Sequence, residues 1–511
     1  MKKQILMVSL AANIIAFAVN MGINFFLTPY IVSNVGSEAY GFVSLANNFT
    51  SYAQILIVAL NSMAGRFVTI SYHQKRYVDM NKYFTSVVAG NAIMIGVLLI
   101  PSIMCILFLE QLINIPQGME PDIKLLFAFI FASFFLTLIN SAFATATFVA
   151  NRKDIEARIN IGSYVMKAMT LILLFAICTP HVFYVGIANL INMGFILVSN
   201  CFYTKKLMPE MEFRKKYIDR AKTFELIRSG IWNSIGRLSG VLSEGIDLLI
   251  TNLFISASSM GTLAIAKMIP GVISSMIGGA GGVFAPSYTI AYANNDKDLL
   301  LKHIRDSIFI LSMLSNICLV VLIAAGTDFF RLWMPSENAD ILQLLSVITI
   351  AGLAVNGGLQ CIFNIYTITN KIRFNSVASI ISSFINIVVV FILLNTTDLG
   401  VFAVAGVSTV TTILRNLFVS VPYAARCIDI KARVFYKPMI ANLTVLFLSA
   451  VICKYAKCFF EINNWLILII FCIGVVAFTA MLNVLAILIS DRSCIVNVLN
   501  RLGIMDRLKK N

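Results

Sequence analysis

Residues 465–489, WLILIIFCIGVVAFTAMLNVLAILI, form an unbroken apolar run with no charged side chain. A helix of about 20 residues crosses the ~30 Å hydrocarbon layer of a bilayer. Inside that layer every backbone N–H and C=O must be satisfied by the chain itself, which leaves only helices and closed barrels. A barrel strand alternates apolar and polar residues. Neither this run nor AIMIGVLLIPSIMCILFLE at residues 92–110 alternates. The pattern predicts an all-α, polytopic membrane protein. Composition agrees: 59% of the 511 residues are hydrophobic and 12% charged, against about 45–50% and about 25% in soluble domains. A water-soluble multidomain enzyme is excluded.

About 14 such spans fit the chain. The expected spans are 5–32, 40–64, 83–109, 123–150, 159–178, 182–203 and 231–254, then 261–288, 307–325, 341–369, 374–394, 401–423, 439–453 and 465–489. The thirteenth is short for a crossing. With the N-terminus inside, 31 of the 39 Lys and Arg fall on inner segments, and Lys124, Arg331, Lys454 and Lys457 alone lie outside. That asymmetry predicts both termini in the cytoplasm. The net charge of +15 then reports topology and contact with anionic lipid. No nucleic-acid partner is needed to explain it.

Lys2 and Lys3 precede an apolar run too long for a signal peptide and followed by no A-x-A site, so it is expected to remain as the first helix. The ten Cys are scattered, mostly within spans, and form no CxxC pair. They are expected to pack as small apolar side chains, although Cys453 and Cys458 face outward in this topology and are spaced so that they can pair. His73, His181 and His303 fall in or beside loops and are expected to be solvated. No P-loop, HExxH or nucleophile elbow is present, so neither ATP-driven work nor a metal or other cofactor is expected.

The largest composition break is 204–228, with eight basic and four acidic residues. It is expected to be a cytoplasmic linker, long enough to let two six-helix lobes rock. At a separation of 220 residues, Gly41 meets Gly261, Ala46 meets Ala266, Thr69 meets Thr289 and Tyr72 meets Tyr292. These identities point to a duplication, with chance matches among apolar helices as the alternative. The expected divisions are 1–226, a first lobe with its linker, 227–437, a second lobe, and 438–511, a last helix pair and tail. Such a plan suits a transporter with its site between two halves of equal orientation. After Ile489, the apolar residues Ile495, Val498, Leu499 and Leu502 share one helical face, which suggests a helix on the inner membrane surface or simply a basic tail.

Six ionisable residues fall inside spans: Lys167, Arg237, Glu244, Asp247, Lys267 and Arg415. Each costs about 2.5–3.5 kcal/mol at a helix centre facing lipid. Together that is about 18 kcal/mol, more than a typical folding stability. They therefore need water or partners. Asn233, Arg237, Gly240, Glu244, Asp247 and Thr251 recur every three or four residues and form one stripe on the seventh span. A carboxylate such as Glu244 near the midplane can exchange a proton or hold a cation. An internal ion-pair set, joining Arg237 to Glu244 or Asp247 to Lys267, is the structural alternative. Cations outnumber anions, which suits an anionic substrate such as a phosphate or diphosphate. Gly278, Gly279, Gly281 and Gly282, between Pro270 and Pro286, permit either a hinge or close helix packing.

The stretch FLTPYIVSNVGSEAYG at residues 26–41, with Pro29 ending the first helix and Tyr40-Gly41 opening the second, resembles the start of Wzx-type polysaccharide flippases. These belong to the multidrug/oligosaccharidyl-lipid/polysaccharide (MOP) superfamily. An acidic residue before LLITNLF and a glycine-rich helix ending in Pro286 resemble the second repeat of the same family. The resemblance implies two six-helix lobes around a central cavity, two further helices, and transfer of undecaprenyl-diphosphate-linked oligosaccharide to the outer leaflet of a bacterial cytoplasmic membrane. It implies that Arg237, Lys267, Arg415 and Lys167 line the cavity, with Arg66 at its cytoplasmic mouth. Glu244 and Asp247 would couple transport to a proton or sodium ion. Membrane lipids and polysaccharide polymerase machinery, of lipopolysaccharide or capsule assembly, are the implied partners. The first two spans hold no intramembrane arginine, unlike the lipid II flippase branch. Two other functions compete. A MATE-like exporter of organic cations predicts a cavity richer in carboxylates than in cations. A glycan polymerase or ligase needs a large polar outer loop, whereas the longest outer connection, 110–122, contains no Arg, His or Lys.

Overall fold

A computed structural model of the chain describes residues 2–490 except Asn151 and Asn370, leaving out also the side chains of 2–11, Ile14, Ser239, Ser243, Glu244 and 487–490. The surface helix expected after Ile489 falls outside the described residues. Among these residues 12 helices are long and apolar enough to cross a membrane, and no strand occurs. The first of the 12 merges two helices across a kink, and the helix from Arg220, which holds most of the expected seventh span, is not among them.

The chain divides after Gly261 into two compact units. The first holds α1 (Lys2–Asn61), α2 (Ala64–His73), α3 (Tyr77–Leu107), α4 (Glu120–Phe143), α5 (Lys153–Ile177), α6 (Phe183–Leu207), α7 (Arg220–Glu244) and α8 (Asp247–Phe254). A short helix, α9 (Ala257–Ala266), spans the division. Pro29 does not end the first helix as expected; it sits inside α1, and the break falls at Gly36, with φ 84° and ψ 160°. That backbone region is open to glycine and closed to most side chains. Ser33 Oγ and Asn34 Nδ2 both donate to the Tyr30 carbonyl, satisfying backbone near the kink.

The expected linker is shorter and tighter than its composition implies. The α6 helix runs to Leu207 and α7 begins at Arg220, with Asp219 capping α7 by accepting from the Ala221 and Lys222 N–H groups. The intervening stretch is fastened to α3. Asn81 Nδ2 donates to the Glu210 carbonyl at 3.0 Å, its Oδ1 accepts from the Glu212 N–H at 2.9 Å, and Lys82 Nζ pairs with Asp219 at 3.1 Å. A loose tether between lobes is therefore corrected to a strap on the first unit.

The second unit holds α10 (Met268–Gly282), α11 (Ala285–Ala293), α12 (Lys297–Trp333), α13 (Ala339–Ile350), α14 (Leu353–Leu359), α15 (Ile362–Ile368), α16 (Ile372–Thr396), α17 (Val401–Arg415), α18 (Val421–Cys427), α19 (Arg433–Lys457) and α20 (Trp465–Ser490). Its helices are inside-out relative to soluble ones. On α16 the residues Val377, Ile381, Phe384 and Val388 are exposed, while Ser376, Ser379, Ser383 and Asn386 are buried. Lipid solvates the apolar face; on the polar one Ser379 accepts from Arg415 and Asn386 donates to Ser408, while Ser376 and Ser383 donate to carbonyls of their own helix. The last pair packs on α12, where Asn316 Nδ2 donates to the Asn442 carbonyl and Asn483 Oδ1, both at 3.1 Å. The thirteenth span is not short: α19 has 25 residues with Pro438 inside it, enough to cross.

Two smaller expectations are overturned by burial. His303 is 8% exposed, inside α12, because its face of that helix turns inward. Cys453 is 4% exposed in a cluster with Leu468 and Phe471, Cys458 is exposed, and both thiols are free. A side chain turned into the core cannot reach one turned out.

Candidate functional site

Lys167 lies on the middle turns of α5, one of few charged side chains in an apolar helix. It opens onto a cavity of about 280 Å³ within the first unit. The wall is built by three more helices: Asn47, Thr50 and Gln54 from α1, Ile130, Ser133, Phe134 and Thr137 from α4, and Asn189, Asn192 and Met193 from α6. On α1 and α6 these residues recur at three- and four-residue spacing, so one face of each helix turns toward the lysine. Among the described residues of the lining there is no carboxylate. Among the described residues, none hydrogen-bonds or ion-pairs with Lys167, Asn189 or Asn192, and Asn192 Oδ1 is buried without a partner. Sequence patterning missed these amides because a single Asn in a span is unremarkable alone; their periodicity across α1 and α6 was the available signal.

The polar face of α7 runs antiparallel along the second half of α1. Asn233 Nδ2 donates to Ser62 Oγ at 3.0 Å, and Arg237 Nη2 donates to Gln54 Oε1 at 3.3 Å. Gly230 is pressed against Ala59, where a Cβ would lie 1.9 Å from the carbonyl oxygen. Gln54 thus joins the Arg237 guanidinium to the wall of the Lys167 cavity. The expected single stripe is interrupted, because the seventh span is two helices. At Gly245 the helix breaks, and its carbonyl accepts from Asn48 Nδ2 at 2.9 Å and Tyr52 Oη at 2.5 Å. Two side-chain donors from α1 satisfy the carbonyl that the break leaves free. Glu244 is the last residue of α7, and its side chain falls outside the described ones. Asp247 opens α8 and is 5% exposed, with its carbonyl accepting from Thr251 Oγ1 at 2.8 Å.

The remaining expected residues are placed apart from this cavity lining. Arg66 is exposed on α2. In the second unit, Lys267 caps the start of α10 and is half-buried. Arg415 ends α17, donating from Nη1 to Ser379 Oγ at 2.9 Å and from Nη2 to Asn416 Oδ1 at 3.2 Å. Asn416 in turn donates to Asn356 Oδ1 at 2.9 Å. Residues Asn416–Ser420 form a π-helix, a distortion that recurs at functional sites. Of the four glycines, only Gly281 is closely packed, with its carbonyl accepting from Asn364 Nδ2 at 2.9 Å. Gly278, Gly279 and Gly282 have open space where a Cβ would be. The helix breaks immediately after, at Val283 and Phe284.

A family model described as polysaccharide biosynthesis protein matches residues 8–289, more than half the chain. The chain is 27% identical over 477 residues to an uncharacterized membrane protein, EpsK, of Bacillus subtilis (strain 168), covering 92% of this chain and 94% of that protein. Among solved structures it is similar to the lipid II flippase MurJ in an inward closed conformation, with a TM-score of 0.63 and 17% identity, covering 92% of this chain and 98% of the other. It is also similar to an inward-facing multidrug resistance MATE family transporter of the MOP superfamily, with a TM-score of 0.61 and 13% identity, covering 83% and 98%. At these identities the two structures bear on fold alone.

Proposed function

Because this chain belongs to the polysaccharide biosynthesis protein family, we propose that it is a flippase that moves undecaprenyl-diphosphate-linked oligosaccharide across the bacterial cytoplasmic membrane. The observation that carries this reading is Lys167, an ammonium in a polar intramembrane cavity with no carboxylate among the described residues of its lining and with Arg237 bonded to the same wall. A positive charge kept in the hydrocarbon layer without an internal counter-ion is costly. A passing anion offsets that cost, and a transporter of anionic headgroups needs that transient neutralisation. An exporter of organic cations needs the opposite lining.

In this reading the lobes are 1–226 and 227–437, followed by 438–511, and both termini are cytoplasmic. Arg237, Lys267, Arg415 and Lys167 meet the diphosphate and the glycan as the two sides open alternately, with Arg66 at the inner entrance. Arg forks match phosphate oxygens bidentately. Glu244 and Asp247 flank the helix break at Gly245, so a proton or sodium ion taken up there would act where α7 and α8 can pivot. Gly278, Gly279 and Gly282, unobstructed beside the break at Val283, form the second pivot, with Gly281 as its packed anchor. The protein carries its substrate without altering it, and hands it to polymerase machinery on the other side.

Reconstitution in vesicles with labelled polyprenyl-diphosphate oligosaccharide, with and without a proton or sodium gradient, tests the proposal. Arg237→Ala and Glu244→Ala are expected to abolish transfer while inserting normally. Transfer at the unmutated rate in either variant would return that residue to a purely structural role, and no transfer by the unmutated protein under any gradient would refute the function.

A further inference from the structure

Resting on that reading, we infer that Asn114 and Asn252 form an outer latch of the transport cycle, closed while the site faces the cytoplasm and opened each time α8 swings aside to release substrate outward. Asn114 stands in the connection between α3 and α4, an outer loop in the proposed topology, and Asn252 in the last turn of α8. The two asparagines clasp reciprocally. The Asn114 N–H donates to Asn252 Oδ1 at 2.8 Å, and Asn252 Nδ2 donates back to the Asn114 carbonyl at 3.0 Å. Asn114 Nδ2 also donates to the carbonyls of Asn252 at 2.8 Å and Leu253 at 3.3 Å. A helix leaves its last four carbonyls without partners inside itself. From 138 residues away, Asn114 caps two of them.

The two halves of the clasp differ in freedom. The loop is fixed to the first unit, because Leu109 and Ile113 are buried and Glu110 pairs with Lys124 of α4 at 2.5 Å. By contrast, α8 is an eight-residue rod between the break at Gly245 and a second at Ile255, where φ is −122° and ψ −82°. Asn48 and Tyr52 hold its inner end through the Gly245 carbonyl, which makes Gly245 the pivot and Asn252 the moving end. Asp247 rides on the same rod, about 7.5 Å from Asn252 along the axis, so an ion taken up there acts on the latch through rigid helix. Just beyond the rod, Gly261 meets α1: its Cβ would lie 2.4 Å from the Ser37 carbonyl oxygen, and a Cβ on Gly41 2.8 Å from Gly261 Cα. These glycines are a pair that the 220-residue spacing aligns, and having no side chains of their own to interlock, their backbones can part cleanly. Chemistry also suits the clasp to repeated opening. All four bonds join neutral groups and Asn114 is exposed, so on parting each bond is exchanged for one to water at small net cost. An ion pair in the same place would resist opening more strongly. In the closed state Asn252 is fully buried, so removing either side chain strips bonds from that state alone and shifts the balance toward the open one.

The test uses the full chain in vesicles, with the exposed Cys178 and Cys458 replaced by serine. In the double variant Asn114→Cys, Asn252→Cys, diamide oxidises the two thiols to a disulfide, followed by mass. Transfer of labelled polyprenyl-diphosphate oligosaccharide should stop on oxidation and recover with dithiothreitol. A clasp that merely holds the fold together loses nothing by becoming covalent, so undiminished transfer by the bridged protein would overturn the latch. The second arm needs no bridge. Thr251, fully buried on α8, is replaced by cysteine, and an impermeant maleimide is applied to right-side-out and to inside-out vesicles. Labelling from the outside should be about tenfold faster in Asn114→Ala and in Asn252→Ala, the scale of one or two neutral hydrogen bonds, with labelling from the inside unchanged. Equal labelling with and without the clasp, or an equal rise from both sides as general loosening would give, would overturn the latch while leaving the flippase intact. Failure of the unmutated protein to transfer lipid under any gradient would refute the flippase, and the labelling arm would still judge the latch.

Discussion

The α1–α7 interface is where a single methyl group has the largest expected effect. A Cβ added at Gly230 would lie 1.9 Å from the Ala59 carbonyl oxygen, 2.8 Å from the Ala59 carbonyl carbon and 2.9 Å from Ser62 Oγ. Ordinary contact begins at 3.4 Å, so the helices must part by about 1.5 Å. The obstacle is backbone, which cannot rotate away as a side chain can, and overpacking of this kind costs about 3 kcal/mol or more. The same displacement carries the Arg237–Gln54 bond, already 3.3 Å, beyond hydrogen-bonding reach. Gly236, six residues along the same helix, has nothing within 4 Å of its Cβ position. There, replacing glycine by alanine only removes backbone freedom from the unfolded chain and stabilises by about 0.5–1 kcal/mol. Gly230→Ala should thus lower the melting temperature of the protein in lipid nanodiscs and reduce transfer, and Gly236→Ala should leave the melting temperature unchanged or higher. Equal melting temperatures for the two variants would refute the packing argument.

A second glycine contact lies in the second unit, where a Cβ at Gly357 meets Ser315 Oγ at 1.8 Å and Ser315 Cβ at 2.6 Å. Because that obstacle is a side chain, Gly357→Ala should destabilise by only about 2 kcal/mol, and Ser315→Gly should restore the melting temperature; no rescue would show that the backbone itself is the barrier. At the strap, Lys82 first, then the Lys222 and Ala221 N–H groups, hold the Asp219 carboxyl below the usual carboxylate range. A lowered folded pKa contributes stability above the ordinary value of about 4 and loses it as pH falls through the folded value. Hydrogen exchange over 208–219 should therefore stay slow at neutral pH and accelerate only below about pH 4. Asp219→Asn should be about threefold faster at neutral pH and insensitive through the acid range; an acid response surviving in the variant would assign it to another group.

What sequence fixes in this protein is whatever the membrane enforces locally. Each apolar run must close its own backbone hydrogen bonds, so helices such as α16 and α20 fall close to where their composition places them. The in-span charges announce a hydrated site for the same reason, since lipid tolerates them poorly. Features that depend on distant parts of the chain were not legible. The bend in α1 sits at Gly36 rather than at Pro29, because membrane helices accommodate proline when nearby side chains supply the missing bonds. The break at Gly245 depends on Asn48 and Tyr52, nearly 200 residues earlier, which no local pattern joins to it. Likewise Lys167 was visible as a lone cation, but the ring of neutral amides and hydroxyls around it exists only once α1, α4, α5 and α6 pack together. A cation in lipid is expensive wherever it stands; which groups surround it, and therefore what it can hold, is settled by helices that meet only in three dimensions.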